Sequence, residues 1–161
     1  MTNRRTFLST LGAGVAGLAF WSSRERPAEA AETFPVRHSD AEWRHALPPA
    51  AYDVLRHEGT ERPFTSPLND EHRAGTFHCR GCAQALYLSK TKFDSGTGWP
   101  SFWAPINGAV ATRTDRSLLM SRTEVHCTRC GSHQGHVFDD GPRPTGKRYC
   151  MNGVSMTFTP A

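Results

Sequence analysis

Two cysteine pairs, Cys79-x-x-Cys82 and Cys127-x-x-Cys130, stand 44 residues apart in a chain of 161. Two intervening residues let both thiolates of a pair reach one ion. Two such pairs complete a tetrahedral four-sulfur site, with Zn–S distances of about 2.3 Å. Gly81 lies inside the first pair and Gly131 directly follows the second, as suits tight knuckles. The gap is longer than in a simple zinc ribbon, so such a site staples distant parts of the chain together. One structural zinc on Cys79, Cys82, Cys127 and Cys130 is the expectation, with disulfides in an oxidising compartment as the alternative. A redox-active C-x-x-C fits less well, because no βαβ pattern surrounds either pair.

The cysteine count then singles out one residue. Of 5 cysteines, four fall in the pairs, which leaves Cys150. It lies in Gly146-Lys147-Arg148-Tyr149-Cys150-Met151-Asn152-Gly153, a strand-like segment. Alternate side chains of an extended strand share one face. Arg148, Cys150 and Asn152 are therefore expected to point one way, and Tyr149 and Met151 the other. A guanidinium beside a thiol favours the ionised form, and the thiolate is the nucleophile. A buried structural cysteine is the competing reading.

Gly131-Ser132-His133-Gln134-Gly135-His136-Val137-Phe138 places two histidines three apart just after the second knuckle. Histidine titrates near neutral pH, so beside a thiolate His133 and His136 can act as proton donors. Support of the metal site, or an ordinary surface position, is the alternative. His78 and His126 flank the knuckles as alternative ligands, but the cysteines suffice. Trp99, after glycines and before Pro100, offers an aromatic wall suited to a soft group such as a methyl on sulfur. A core position suits it equally well.

The rest of the chain frames these residues. Apolar content is 37%, with 14 Gly and 11 Pro, which describes one turn-rich domain plus an appendage. The first 30 residues hold four arginines against two glutamates, which leaves +2 of the chain's +4 for residues 31–161. So small a charge argues against nucleic-acid binding, which needs a concentrated basic surface.

Arg4-Arg5, an apolar run over 7–21 and Ala28-Glu29-Ala30 resemble a twin-arginine signal peptide, cut after Ala30. The run is short for a membrane span of about 20 residues, although an uncleaved anchor is the alternative. Export of a folded, metal-loaded domain to the periplasm or another extracytoplasmic space is expected, with no stable membrane span after cleavage. Residues 31–37 read as a flexible lead-in and 38–161 as the domain.

Ser39-Asp40-Ala41-Glu42 fits a capping box and predicts a helix to about 46. A second short helix over 50–57 closes at Gly59. Short strands are expected at 76–79, 86–88, 109–112, 118–121, 124–127 and 148–158. Strands this short, with turn signals between them, point to an antiparallel β domain.

Three segments carry a family resemblance: Lys92-Phe93-Asp94-Ser95-Gly96-Thr97-Gly98-Trp99-Pro100-Ser101-Phe102, Gly135-His136-Val137-Phe138-Asp139-Asp140-Gly141-Pro142, and Arg148-Tyr149-Cys150-Met151-Asn152. With both C-x-x-C units and Thr60-Glu61-Arg62-Pro63-Phe64, they resemble the methionine sulfoxide reductase B family over roughly residues 38–159. The resemblance implies a mainly β domain of two antiparallel sheets, short N-terminal helices and one zinc opposite the active site. It implies reduction of the R epimer of methionine sulfoxide within proteins or peptides. Carried over by position, Cys150 is the nucleophile, and His133 and His136 help protonate the sulfoxide oxygen. Trp99 receives the substrate methyl, and Arg148, Asp140 and Asn152 shape the polar side of the pocket.

One departure matters. Many members of the family carry a resolving cysteine where this chain has Thr97. With every other cysteine in a knuckle, the expectation is a Cys150 sulfenic acid reduced by an external thiol, from a thioredoxin-like or other reductant. The rival from another class is a catalytically silent zinc-knuckle module that binds oxidised or Met-rich peptides.

Overall fold

The structure is a computed structural model that describes residues 32–116 and 121–161. The segment expected to be a signal peptide, and most of the strand expected at 118–121, lie outside the described residues.

Among the described residues, two short α-helices precede the sheets. Helix α1, Asp40–Ala46, starts on the expected capping box: Ser39 Oγ accepts from the Glu42 amide and the Glu42 carboxylate accepts from the Ser39 amide. Helix α2, Pro49–His57, buries Ala51, Tyr52, Val54 and Leu55 along one stripe. Its left-handed cap is Glu58, at φ 58°, and not the expected Gly59. Gly59 has a different task, because a Cβ there would stand 2.3 Å from Asp53 Oδ2. No described helix is long and apolar enough to cross a membrane.

Among the described residues, nine strands form two antiparallel sheets. Strands β1 (Gly75–Cys79), β2 (Ala85–Leu88) and β9 (Met156–Pro160) make the smaller, in the order β2-β1-β9. The larger contains β3 (Lys92–Phe93), β4 (Ser101–Phe102), β5 (Val110–Asp115), β6 (Arg122–Cys127), β7 (His133–Phe138) and β8 (Arg148–Met151). Its order is β3-β4-β8-β7-β6-β5. The core lies against both sheets, where Tyr87 stacks on Phe102 at 4.3 Å between ring centres and Phe77 meets the same ring edge-on.

The single strand expected over 148–158 is two strands in different sheets. A turn of 3₁₀ helix, Gly153–Ser155, separates them. Gly153 allows the break, since a Cβ there would stand 1.8 Å from Ser66 Oγ. Strand β7 was not expected from alternation: its polar residues His133 and Gln134 are buried, so no apolar-polar rhythm marks it.

Candidate active site

One line of backbone partners crosses the larger sheet. Arg113 pairs with Glu124, Glu124 with His136, His136 with Cys150, and Cys150 with Ser101. Directly opposed residues of an antiparallel pair present their side chains to the same face. This register therefore gathers residues more than 30 positions apart in the chain. Gly135 permits it, because a Cβ there would meet the Cys150 carbonyl oxygen at 2.1 Å.

Cys150 is partly exposed and lines a cavity of about 120 Å³ with Thr60, Trp99, Arg122, Gly135, His136, Phe138 and Asn152. Thr97 Oγ1 lies 3.8 Å from its sulfur. The cavity thus joins a thiol, an imidazole and an amide to an aromatic wall.

Of the expected polar partners, Asn152 lines the cavity, whereas Arg148 and Asp140 are not among its lining residues and pair with each other. Asp140 grips Arg148 with both oxygens, each bond 2.8 Å, while Asp139 turns to Lys147 instead. The Arg148 side chain lies 4.4 Å over the Phe138 ring. Its guanidinium is held charged first by Asp140 and then by the Cys150 sulfur beside it. The same bond to Arg148 lowers the Asp140 carboxyl. Asn152 lies just past the end of β8, yet it faces the Cys150 cavity. Its Oδ1 accepts from the Glu61 amide at 2.8 Å and its Nδ2 donates to the Gln134 carbonyl at 3.2 Å. Trp99 is partly exposed and donates its indole N–H to the Glu61 carbonyl at 2.9 Å.

The two histidines occupy different settings. His136 lines the cavity, and its Nε2 bonds Asp115 Oδ2 at 2.9 Å. Burial lowers its pKa, against the raising effect of Asp115. His133 is 2% exposed, so it stands behind the cavity wall, with its ring centre 5.3 Å from that of His136. Its Nδ1 donates to Glu124 Oε1 at 2.8 Å, and its Nε2 is buried without a hydrogen-bond partner among the described residues.

Both carboxylates are braced by arginines on the neighbouring strand. Arg113 Nε meets Glu124 at 2.6 Å and Arg122 Nη2 meets Asp115 at 2.7 Å. Burial raises the Glu124 carboxyl, but bonds from His126 and His133 and the Arg113 charge outweigh it and bring it down to about 2.

The four knuckle cysteines converge elsewhere. Their sulfurs all lie within 4.8 Å of one another. The contacts of 3.7 Å between Cys79 and Cys130 and 3.5 Å between Cys82 and Cys127 match the edge of a tetrahedron with metal–sulfur bonds of about 2.3 Å. A disulfide would need about 2.05 Å. The sulfurs of Cys127, Cys130 and Cys82, with burial, push the Cys79 thiol upward. A divalent cation relieves that crowding, because it holds thiolates together. Gln134 ties this group to the other site, its side chain donating to the Cys79 sulfur at 3.5 Å and its backbone carbonyl accepting from Asn152 Nδ2 at 3.2 Å. His126 bonds Glu124 and His78 faces the Ala83 carbonyl, so neither joins the cluster.

Comparison with known proteins agrees. Residues 47–160 match the SelR domain family. The peptide methionine sulfoxide reductase MsrB of Agrobacterium fabrum is 52% identical over 126 residues, covering 78% of this chain and 93% of the relative. That of Pseudomonas putida is 57% identical over 120 residues, covering 74% and 90%. That of Methanosarcina barkeri is 53% identical over 124 residues, covering 76% and 87%.

This chain belongs to the MsrB family. Its fold is the mainly β, two-sheet architecture expected from the resemblance, with a four-cysteine group able to hold a metal ion. Sequence reasoning assigned no site role to several residues that lie at or behind this MsrB-family cavity: Asp115, Arg122, Glu124, Thr60, Glu61 and Phe138. A signal for three of them, Asp115, Arg122 and Glu124, was present. Arg113-x-Asp115 and Arg122-x-Glu124 alternate opposite signs at the spacing of one strand face, as cross-strand ion pairs do.

Proposed function

We propose that this chain reduces the R epimer of methionine sulfoxide in proteins and peptides to methionine, with Cys150 as nucleophile. The observation that carries the reading is Cys150 lining one cavity with Trp99, Phe138 and His136, and the charged Arg148 guanidinium beside its sulfur. Trp99 receives the methyl group. His136 gives a proton to the sulfoxide oxygen, and Asn152 and the Asp140–Arg148 pair hold the polar side. His133, locked by Glu124, supports His136 from behind.

The Cys150 thiolate accepts the oxygen from the protonated sulfoxide. The substrate S–O bond breaks, a Cys150 S–OH bond forms, and the sulfide leaves reduced by two electrons. One external thiol displaces water from the sulfenic acid to give a mixed disulfide, and a second releases Cys150 as thiol.

Zinc is the ion that suits Cys79, Cys82, Cys127 and Cys130, where its work is to hold the knuckles together. The Arg4-Arg5 pair, the apolar run and Ala28-Glu29-Ala30 support export by the twin-arginine route. An external thiol reductant, thioredoxin-like or other, then acts outside the cytoplasm.

The test is turnover of peptides carrying pure R or pure S sulfoxide, with dithiothreitol, by wild type and Cys150→Ser. Turnover of R alone, lost in the variant, is expected. Folded, metal-loaded protein that turns over neither epimer would overturn the reading.

A further inference from the structure

Cys150 faces a chain of three hydroxyls. Thr97 Oγ1 lies 3.8 Å from its sulfur, Ser95 Oγ lies 2.8 Å from Thr97, and Ser101 Oγ lies 2.8 Å from Ser95. Ser101 also reaches the Trp99 carbonyl at 3.1 Å. The chain is held in place at both ends. Ser101 is 1% exposed and is the strand partner of Cys150. Thr97 sits between Gly96 at φ 70° and Gly98 at φ 88°, backbone conformations that glycine adopts without strain.

A hydroxyl has one proton to give and lone pairs to receive, whereas a carbonyl only accepts. When Ser101 donates to the Trp99 carbonyl, Ser95 must donate to Ser101 and Thr97 to Ser95. Thr97 then presents lone pairs to the sulfur. The opposite order is also available: Ser101 donates to Ser95, Ser95 to Thr97, and Thr97 to the sulfur, with the carbonyl bond released. The first order suits a partner that carries a proton, such as S–H or S–O–H. The second suits a thiolate.

We propose that Thr97 is a catalytic residue that serves both halves of the cycle through this reversal. It donates to the Cys150 thiolate before attack and accepts from the sulfenic acid hydroxyl afterwards, holding that intermediate until an external thiol arrives. The inference rests on the reductase reading above and deepens it. A waiting intermediate needs such a partner here, because the other four cysteines lie within one mutually close cluster. An oxygen added to the sulfur on its Thr97 side comes closer to the hydroxyl than the sulfur itself.

The experiment compares the lifetime of the Cys150 sulfenic acid in full-length wild type, Thr97→Ser, Thr97→Val and Ser101→Ala. The acid is made in two ways without reductant: with R methionine sulfoxide, and with one equivalent of hydrogen peroxide. In the second, the thiolate attacks one oxygen, the O–O bond breaks and hydroxide leaves. Dimedone captures what remains after increasing delays, and mass mapping of the Cys150 peptide reads the adduct and any sulfinic acid.

Wild type and Thr97→Ser are expected to match. Thr97→Val should lose the acid about tenfold faster, the scale of one hydrogen bond. Ser101→Ala, without the carbonyl anchor, should fall between them. Equal lifetimes in Thr97→Val and wild type, or loss in Thr97→Ser as fast as in Thr97→Val, would overturn the proposal. Should Thr97→Val unfold, a Ser101→Ala lifetime equal to wild type overturns it as well. Sulfenic acid from peroxide but none from sulfoxide would sink the reductase reading, while the lifetimes would still decide the role of Thr97.

Discussion

The four-cysteine cluster and Cys150 present the same functional group in opposite settings. In the cluster, sulfur faces sulfur at 3.5 and 3.7 Å, and Cys79, Cys127 and Cys130 are buried. Cys150 is partly exposed on a cavity, with a hydroxyl at 3.8 Å and a guanidinium beside it. A crowded, enclosed set of thiols is able to hold a metal ion. A single thiol with mixed polar neighbours and open access is suited to act as a nucleophile. The difference lies in the surroundings, so substitutions in the two places should fail in different ways.

The largest contrast is between Cys150→Ser and Cys127→Ser. The first should lower turnover on the order of 10⁴-fold or more, with stability changed by less than about 0.5 kcal/mol. The second should lose bound metal and several kcal/mol of stability, because metal binding to such a site is folding free energy. Turnover, metal content and urea midpoints measured together would break the comparison if Cys127→Ser stayed folded and active.

Glu124→Gln comes next. This carboxylate joins Arg113, His126 and His133 at 1% exposure, and cutting a buried network of this kind costs about 3 kcal/mol. Its carboxyl sits at about 2 in the fold against an ordinary 4.5. On acidification the unfolded chain takes up that proton first. The stabilisation is therefore complete above about 4.5 and drains away as pH falls towards about 2. Denaturation curves at several acidic pH values should show this slope in wild type and a smaller one in the variant.

Asp115→Asn sharpens the distinction between the two histidines. If His136 supplies the proton, kcat/KM falls as pH rises through a value below 6.5, since burial lowers this group. Asp115 opposes that lowering, so its loss should move the falling limb to lower pH and reduce activity at pH 7 by roughly tenfold. An unshifted profile would leave Asp115 a purely structural brace. The smallest effect belongs to Asp140→Asn, roughly two- to fivefold on kcat/KM, because that carboxylate is largely exposed.

Much of this was legible in the chain itself. The knuckle spacing indicated which four cysteines would gather, and the leftover thiol indicated Cys150. The capping box at Ser39 and Glu42 marked the first helix, since that signal is local and complete within four residues. The rest was illegible for definite reasons. Strand β7 carries His133 and Gln134 inward on buried hydrogen bonds, so hydrophobic alternation could not reveal it. The turn that splits the expected strand at 153–155 packs its glycine against Ser66, which lies far away in sequence.

The sequence by itself determined the chemistry on offer: four cysteines at metal-ligand spacing, one cysteine outside the pairs, two histidines, an arginine and a tryptophan in recognisable order. Only the tertiary structure decided their division of labour. It set His136 on the cavity and His133 behind it, gave Arg148 to Asp140 and Lys147 to Asp139, and brought the Thr97 hydroxyl to the Cys150 sulfur. The physical reason is register. Residue types and spacings are local, but which side chains meet across β4, β8, β7, β6 and β5 follows from strand pairing, bulges and the glycine at 135, and these are settled only when the sheet forms.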